Sequence, residues 1–579
     1  MNRLLIFLLC LSVQHVSSVN GKEKNLSWIT NDKNTDESQS AQFDSSTRKP
    51  RAMYKDGITN KQPVNSNIHA ILKSQSVANS VLASGKWVKA RTNQAGIHKI
   101  TFSALKSMGF QSPQNVKIFG FPPGKLPQMN NIPSSDDLTQ YHIWQTKDKQ
   151  ANDCFLIYVP GNVSWEYDPV SKSFVHNINS FANSQSFLYL TEDISITQQV
   201  QLTPMITDSP SIIVNEFDDV AFYEEETYNV IETGSRWFSS LLIPSTTFVK
   251  TFKFQDHISN EPILINIAAA ARCDLSSTLS VSVNNTSVET MNFPPYSNFA
   301  ETDYANLREI AISQSVEGDD VNFSLKYNSP AYGKCWLDYI RMQTRRKLNI
   351  QSGQLIFTDS RSVGPGNIAA FRIGNAGNGL KIWEITSPLK PFEIQSITAS
   401  NILSFKVTTD SLRRFIAFDP LSDFPVIEKV EEVNNQNLHG LSTPDMLIIT
   451  SPDFKSEAER LALFHRQNSG LEVTVVNVSQ IFNEFSGGIA DVTAIRNFVR
   501  HIYRKSQNNN ISGLKYLLLF GKGTFDNLHP VNAENPCFIP TWQSESSLNP
   551  ASSFVTDDYF GLLGEDEGCL LYTSPSPRD

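Results

Sequence analysis

Cysteine is scarce. Six cysteines in 579 residues, with no CxxC pair, exclude a disulfide scaffold and a zinc ribbon. Cys154, Cys273, Cys335 and Cys537 lie far apart and read as isolated buried thiols, with a Cys273–Cys335 bridge across one β domain as the alternative. Charge is scarce as well, at 18% of residues, and the net charge of −9 comes with no basic stripe, so no nucleic-acid partner is expected. Long apolar runs are absent after the first residues, and nothing later could span a bilayer as a helix. No repeat period marks a solenoid or a propeller. What is abundant is Phe (36) and Tyr (16), the texture of a β-rich extracytoplasmic protein.

The chain opens as a secretory signal over 1–18. Arg3 supplies the charge, Leu4 to Val13 the apolar stretch, and Val16 to Ser18 the small residues for cleavage. A polar segment, 19–80, buries too little apolar surface to offset its ordering entropy and reads as disordered. Residues 81–245 form a β-rich domain. Its strands include Trp87 to Arg91 and Gly96 to Phe102, joined by the turn Asn93 to Gly96, with a short helix at Leu105 closed by Gly109. Residues 250–346 read as a β-sandwich, because Leu279 to Val283 and Val321 to Tyr327 alternate strictly between apolar and polar. Residues 350–425 hold further strands, and 426–441 reads as a polar linker.

From 440 to 568 the period changes. Met446 to Thr450, Leu471 to Val478 and Tyr516 to Phe520 are short apolar runs, as buried strands should be. Between them, Lys455 to Ser469 is helical, with Gly470 closing it. Asp491 to Arg504 is a second helix, with Ile495, Phe498, Val499 and Ile502 on one face. Strand, helix, strand, helix, strand implies a parallel sheet wound with helices. Chemistry in such sheets sits beyond the carboxyl ends of the strands, and Gly521 to Asn527 follows one of them.

Three runs carry a resemblance: Tyr516 to Asp526 (YLLLFGKGTFD), Ile539 to Gln543 (IPTWQ) and Thr556 to Gly561 (TDDYFG). They resemble the opening half of the gingipain family of cysteine peptidases, in particular its type IX secretion sortases. Gly85 to Trp87, Gly96-Ile97, Ser164 to Tyr167 and Gly234 to Phe238 extend the resemblance into the β-rich part. The implied fold is multidomain, with β-rich amino-terminal domains, one of them a sandwich, before a partial α/β caspase/gingipain-like parallel sheet. The implied activity is that of a cysteine endopeptidase that removes carboxy-terminal sorting domains from exported cargo and attaches the cargo to lipopolysaccharide. The implied partners are that cargo and outer-membrane secretion components. The implied place is the outer membrane, cell surface or periplasm of a bacterium. A secreted gingipain-type protease and a noncatalytic β-rich adhesin or binding module are the competing readings.

The family usually has an Asp where this chain has Lys522. Its catalytic His and Cys lie after the stretch seen here, so no catalytic residue is assigned, and the chain is expected to be inactive by itself. His529 and Cys537 match neither family position and read as loop residues. His439 reads as linker, and His465 and His501 as surface or packing residues on helices. Gly521-Lys522-Gly523 lacks the spacing of a phosphate loop. No cofactor is required. Asp557 and Asp558, with Glu565, Asp566 and Glu567 nearby, offer oxygen ligands, and the resemblance admits a structural calcium ion there. Residues 569–579 resemble translated adapter sequence and are expected to be exposed coil.

Overall fold

In the computed structural model, the residues described are 5–6 and 77–568, without 183, 196, 298–301, 331, 510–512 and 529–535. The expected disordered segment up to residue 76 and the tail 569–579 lie outside them, as does the expected signal peptide except for Leu5–Ile6.

Trp87–Thr92 and Gly96–Thr101 are strands, but they do not pair with each other. The first joins a five-stranded antiparallel sheet, and the second a three-stranded sheet with Asp153–Val159 and Trp144–Lys147. Val88, Ile118 and Leu190 of one sheet share a core with Ile100, Phe155 and Ile157 of the other. The turn at Gly96 therefore carries the chain from sheet to sheet. Its φ of +118° suits glycine, and a Cβ there would lie 2.6 Å from Gln354 Oε1, which accepts from Ile97 N–H. The reading of 426–441 as linker is corrected. Glu428–Val433 is the edge strand of the five-stranded sheet, antiparallel to Trp87–Thr92, with Arg91 and Glu428 paired at 3.0 Å. Its Glu and Lys side chains gave it a linker's composition, yet such charges also protect an edge strand.

The sandwich is present. Thr247–Lys253, Asp320–Asn328, Ser277–Val283 and Thr286–Phe293 form one sheet. Leu279, Val281, Val283, Phe323 and Leu325 are buried on its inner face, against Ile265, Ile267 and Ile340. Period two is thus converted into a packed interface. Cys273 and Cys335 are both buried free thiols. The opposing sheet has ten strands and does not stop at the sandwich. It continues from Lys334–Lys347 through Glu216–Glu224, Gln354–Thr358 and Arg414–Phe418, so 350–425 shares a sheet with 250–346. Phe357, Phe371, Phe405 and Phe415 pack at the core of this second half.

Beyond Pro444 the sheet is parallel, in the order Val473–Asn477, Met446–Thr450, Tyr516–Phe520, Leu5–Ile6. Both faces are covered, which is why these strands are apolar at successive positions. Ile448 and Leu518 face helix Lys455–Asn468 through Ala458 and Ala462. Leu447, Ile449 and Leu517 face helix Val492–Asn509 through Ile495, Phe498 and Val499. Gly470 has φ +65° after the first helix, as its position implied. The expected strand Leu471 to Val478 is shorter, Val473–Asn477, because Asn477 caps a further helix, Val478–Phe485. Asn477 Oδ1 accepts from Ser479 N–H at 3.1 Å, and Gln480 reaches back to complete a capping box. The outer edge of Tyr516–Phe520 is paired in parallel with Leu5–Ile6.

Candidate active-site region

The loop after Tyr516–Phe520 lies at the carboxyl end of the sheet, as the sequence implied. Lys522 carbonyl accepts from Phe538 N–H at 3.0 Å. Asn527 Nδ2 donates to Thr541 carbonyl at 2.7 Å, and Gln543 Nε2 donates to Phe525 carbonyl at 2.7 Å. Gly523 is packed so closely that a Cβ would come within 2.9 Å of Ile539 carbonyl. These bonds tie the runs 521–527 and 539–543, two of the three that carried the resemblance, into one unit. The β-rich part walls its other side. Ser235 N–H donates to Ser544 carbonyl at 2.9 Å, Arg236 N–H to Ser547 Oγ at 2.8 Å, and Trp237 stacks on Phe525 with ring centres 6.2 Å apart. Gly234 makes this approach possible: its φ is +84°, and a Cβ would meet Ser547 Oγ at 2.4 Å. A cleft of about 190 Å³ remains between Lys125, Trp237, Phe525, Asn527, Thr541 and Gln543.

Cys537, Cys154 and Cys335 are shifted away from the thiolate. Burial pushes the Cys537 thiol up, the Asp526 charge adds to this, and the thiol donates to Asn527 Oδ1 at 3.6 Å. A catalytic cysteine needs the opposite shift. Burial raises Cys154 to about 11 and Cys335 further. His529 lies outside the described residues. His465 sits partly exposed on its helix, with Nδ1 3.3 Å from Ser469 Oγ.

The linker reading of His439 is also corrected. Its side chain is 0% exposed, and so is that of Glu484, whose Oε2 lies 2.6 Å from His439 Nδ1. His439 Nε2 lies 3.0 Å from Asp136 carbonyl and 3.6 Å from Asp136 Oδ2. The ring stacks on Phe485 at 4.4 Å. Glu484 also accepts from Leu438 N–H and Gln436 Nε2, each at 2.9 Å. Burial pulls the His439 pKa down, but Asp136 and Glu484 outweigh it and hold the imidazolium up to about 10. His501 packs beside it, Nε2–H donating to His439 carbonyl at 3.1 Å, and burial lowers its pKa. Asp136, His439 and His501 bring their ligand atoms within 4.8 Å. Both ring nitrogens of His439 are spent on protein acceptors, so the cluster acts as an ion-pair lock between the Asp136 loop and the parallel-sheet segment. The sequence carried one signal for it: Glu484 lies among Ile481, Phe482 and Phe485 on an apolar helix face, where a carboxylate requires a partner.

Asp557 and Asp558 are brought near the strand-end loop. Burial raises Asp557, whose Oδ1 accepts from Thr541 Oγ1 at 3.2 Å, and the Asp558 charge adds to the rise. Asp558 is exposed at the start of the short turn Asp558–Gly561. Glu565 is drawn away to Arg500, at 2.9 Å, and to Arg504, and Glu567 accepts from Gly564 N–H. Carboxylates and hydroxyls are the oxygen ligands that a hard cation takes.

Residues 439–575 match the model of Peptidase family C25, the gingipain-type cysteine peptidases. The chain is similar to dimeric latent PorU from Porphyromonas gingivalis, with a TM-score of 0.75 and 25% identity over 85% of this chain. The chain spans 47% of that protein's length. The fold is thus similar to that of PorU, β-rich first and parallel-sheeted after, and the parallel-sheeted part is the one that matches the gingipain-type model. A CBM36 domain of a xylanase from the hindgut metagenome of Trinervitermes trinervoides is also found, at 10% identity, over 21% of this chain and 96% of that one. Its TM-score of 0.15 gives it no bearing on the fold. No curated protein matches the chain.

Proposed function

We propose that the protein acts as a PorU-like sortase, a cysteine endopeptidase and transpeptidase that processes the carboxy-terminal sorting domains of type IX secretion cargo. The observation that carries this reading is the extent of the likeness to PorU, 85% of the chain. It takes in the β-rich body as well as the peptidase segment 439–575. The contacts of Gly234 to Phe238 with Ser544 to Ser547 support it, because they join that body to the strand-end cleft. On this reading the protein is exported to the outer membrane or cell surface. It meets cargo and outer-membrane secretion components there. Deleting the gene in its own bacterium should leave exported cargo with uncleaved sorting domains. Normal cargo processing in the deletion strain would instead favour a secreted protease or an adhesin.

Asp557 and Asp558 are proposed to hold a calcium ion that steadies the Thr541 loop. Calcium added to metal-stripped protein should then raise the melting temperature, since a ligand bound only to the native state stabilises it by about 2.7 kcal/mol at a hundredfold excess over Kd. Asp558→Ala should abolish the rise. A melting curve indifferent to calcium and chelator would return the pair to plain solvated surface.

A further inference from the structure

Residues 225–239 leave strand Glu216–Glu224, run out to the strand-end cleft and return. Tyr228 and Phe238 exchange backbone hydrogen bonds at 2.8 Å, which closes the loop on itself. Its tip, Gly234 to Trp237, walls the cleft through Ser544, Ser547 and Phe525. Its root is crowded with carboxylates. Glu225 N–H donates to Ser239 Oγ at 2.8 Å, and Ser239 N–H to Leu337 carbonyl at 2.7 Å, which brings Glu226 within the field of Asp338 on strand Lys334–Lys347. Asp338 is 5% exposed, and Glu226 Oε2 is buried without a hydrogen-bond donor. Glu224 and Glu309 add charge to the same cluster. Those two have close partners, His176 Nε2 and Tyr339 Oη, each at 2.5 Å. The cations facing Glu226 and Asp338 are Arg236 and Lys125. The Arg236–Asp338 ion pair is long, 3.8 Å from Nη1 to Oδ2, and its arginine is half-exposed.

We propose that this loop is a pH-sensitive latch on the cleft, which holds Trp237 against Phe525 while Glu226 and Asp338 are protonated and releases it when they ionise. A protonated carboxyl is neutral and can donate a hydrogen bond, so a buried root tolerates it. Once ionised, the two carboxylates share one loosely held arginine and repel Glu224. Opening the root to water relieves both the burial and the repulsion. Burial is the largest cause that pushes Glu226 up to about 7, and Asp338 likewise up to about 7. The Glu224 charge adds to both, Asp338 adds to Glu226, and Glu309 adds to Asp338. Arg236 offsets part of both rises, and Lys125 part of the first. The ordinary values are 4.5 and 3.8, so below about 7 the closed loop keeps protons that the open one releases. Stabilisation of the closed form is therefore complete below about pH 4 and is lost as pH rises through 7. Arg236 carries the change to the tip. Its side chain meets Asp338, its N–H bonds Ser547 Oγ, and Trp237 is the next residue.

Amide hydrogen exchange of the full chain at pH 6 and pH 8, with the intrinsic rates divided out, tests this. Protection of the amides of Ser235, Arg236 and Phe238 should fall at least tenfold between the two, roughly the factor that one such carboxyl contributes over that interval. Protection of strand Ser277–Val283 in the sandwich should hold, which separates a local opening from a general loss of stability such as that expected around His439. In the double variant Glu226→Gln/Asp338→Asn the loop amides should keep their pH 6 protection at pH 8. Loop protection unchanged from pH 6 to 8, an equal fall in loop and sandwich, or a fall that persists in the double variant would overturn the latch. The loop-against-sandwich comparison in the unaltered protein decides the matter even if the variant fails to fold.

Discussion

His439→Gln should cost about 3–5 kcal/mol of stability, the usual price of breaking a buried pair and stranding one partner. Glu484 is 0% exposed and would lose the imidazolium that now lies 2.6 Å from it. Leu438 N–H and Gln436 Nε2 would remain as its donors, but they carry no compensating charge. Glu484→Gln should cost a similar amount, and the double variant less than the sum, because both changes remove the same interaction. The pH dependence follows from the direction of the shift. An unfolded histidine titrates near its ordinary value of about 6.5, and His439 in the fold is raised to about 10. Its contribution is therefore complete below pH 6.5 and fades as pH rises toward 10. Urea midpoints measured from pH 6 to 10 should fall more steeply for the native protein than for His439→Gln. Parallel curves, or single-variant costs below about 1 kcal/mol, would mean that His439 is the solvated linker residue its sequence suggested.

The second large effect is an absence of activity. Protein comprising residues 19–568 should cleave no peptide and take no label from a thiol-directed, substrate-like inhibitor. Covalent catalysis needs a thiolate and an imidazole within reach of each other. Among the described residues, the thiols that shift are shifted toward the protonated form. His439 is locked to two carboxylates, and His501 is buried against it. Loss of nucleophile and base removes several orders of magnitude in rate, so the difference is easily read. Cleavage abolished by Cys537→Ala would put the active site in the 521–543 loop and refute this.

The parallel sheet was legible because burial on both faces writes itself as unbroken apolar runs, Met446 to Thr450 and Tyr516 to Phe520, while Ile495, Phe498, Val499 and Ile502 repeat at helical spacing. The sandwich was legible from strict alternation in Leu279 to Val283. Glu428–Val433 was hidden because an edge strand is exposed and charged, as a linker is. Helix Val478–Phe485 was hidden because its cap, Asn477, directly ends a valine-rich strand. The lock around His439 depends on Asp136 and Glu484, 303 and 45 residues away, and no local pattern brings such partners together.

The central claim is the proposal that 440–568 belongs to a gingipain-type peptidase sheet, with the loop Gly521 to Asn527 beside the place of cleavage. The most direct measurement is a cargo-cleavage assay on the chain to Gly568 prolonged by whatever reading frame the gene continues with. Cleavage should appear only in the prolonged protein, and it should be lost on mutating a Cys or His of the added segment but kept in Cys537→Ala. A prolonged protein that folds and remains inactive, or one whose activity depends on Cys537, would contradict the account.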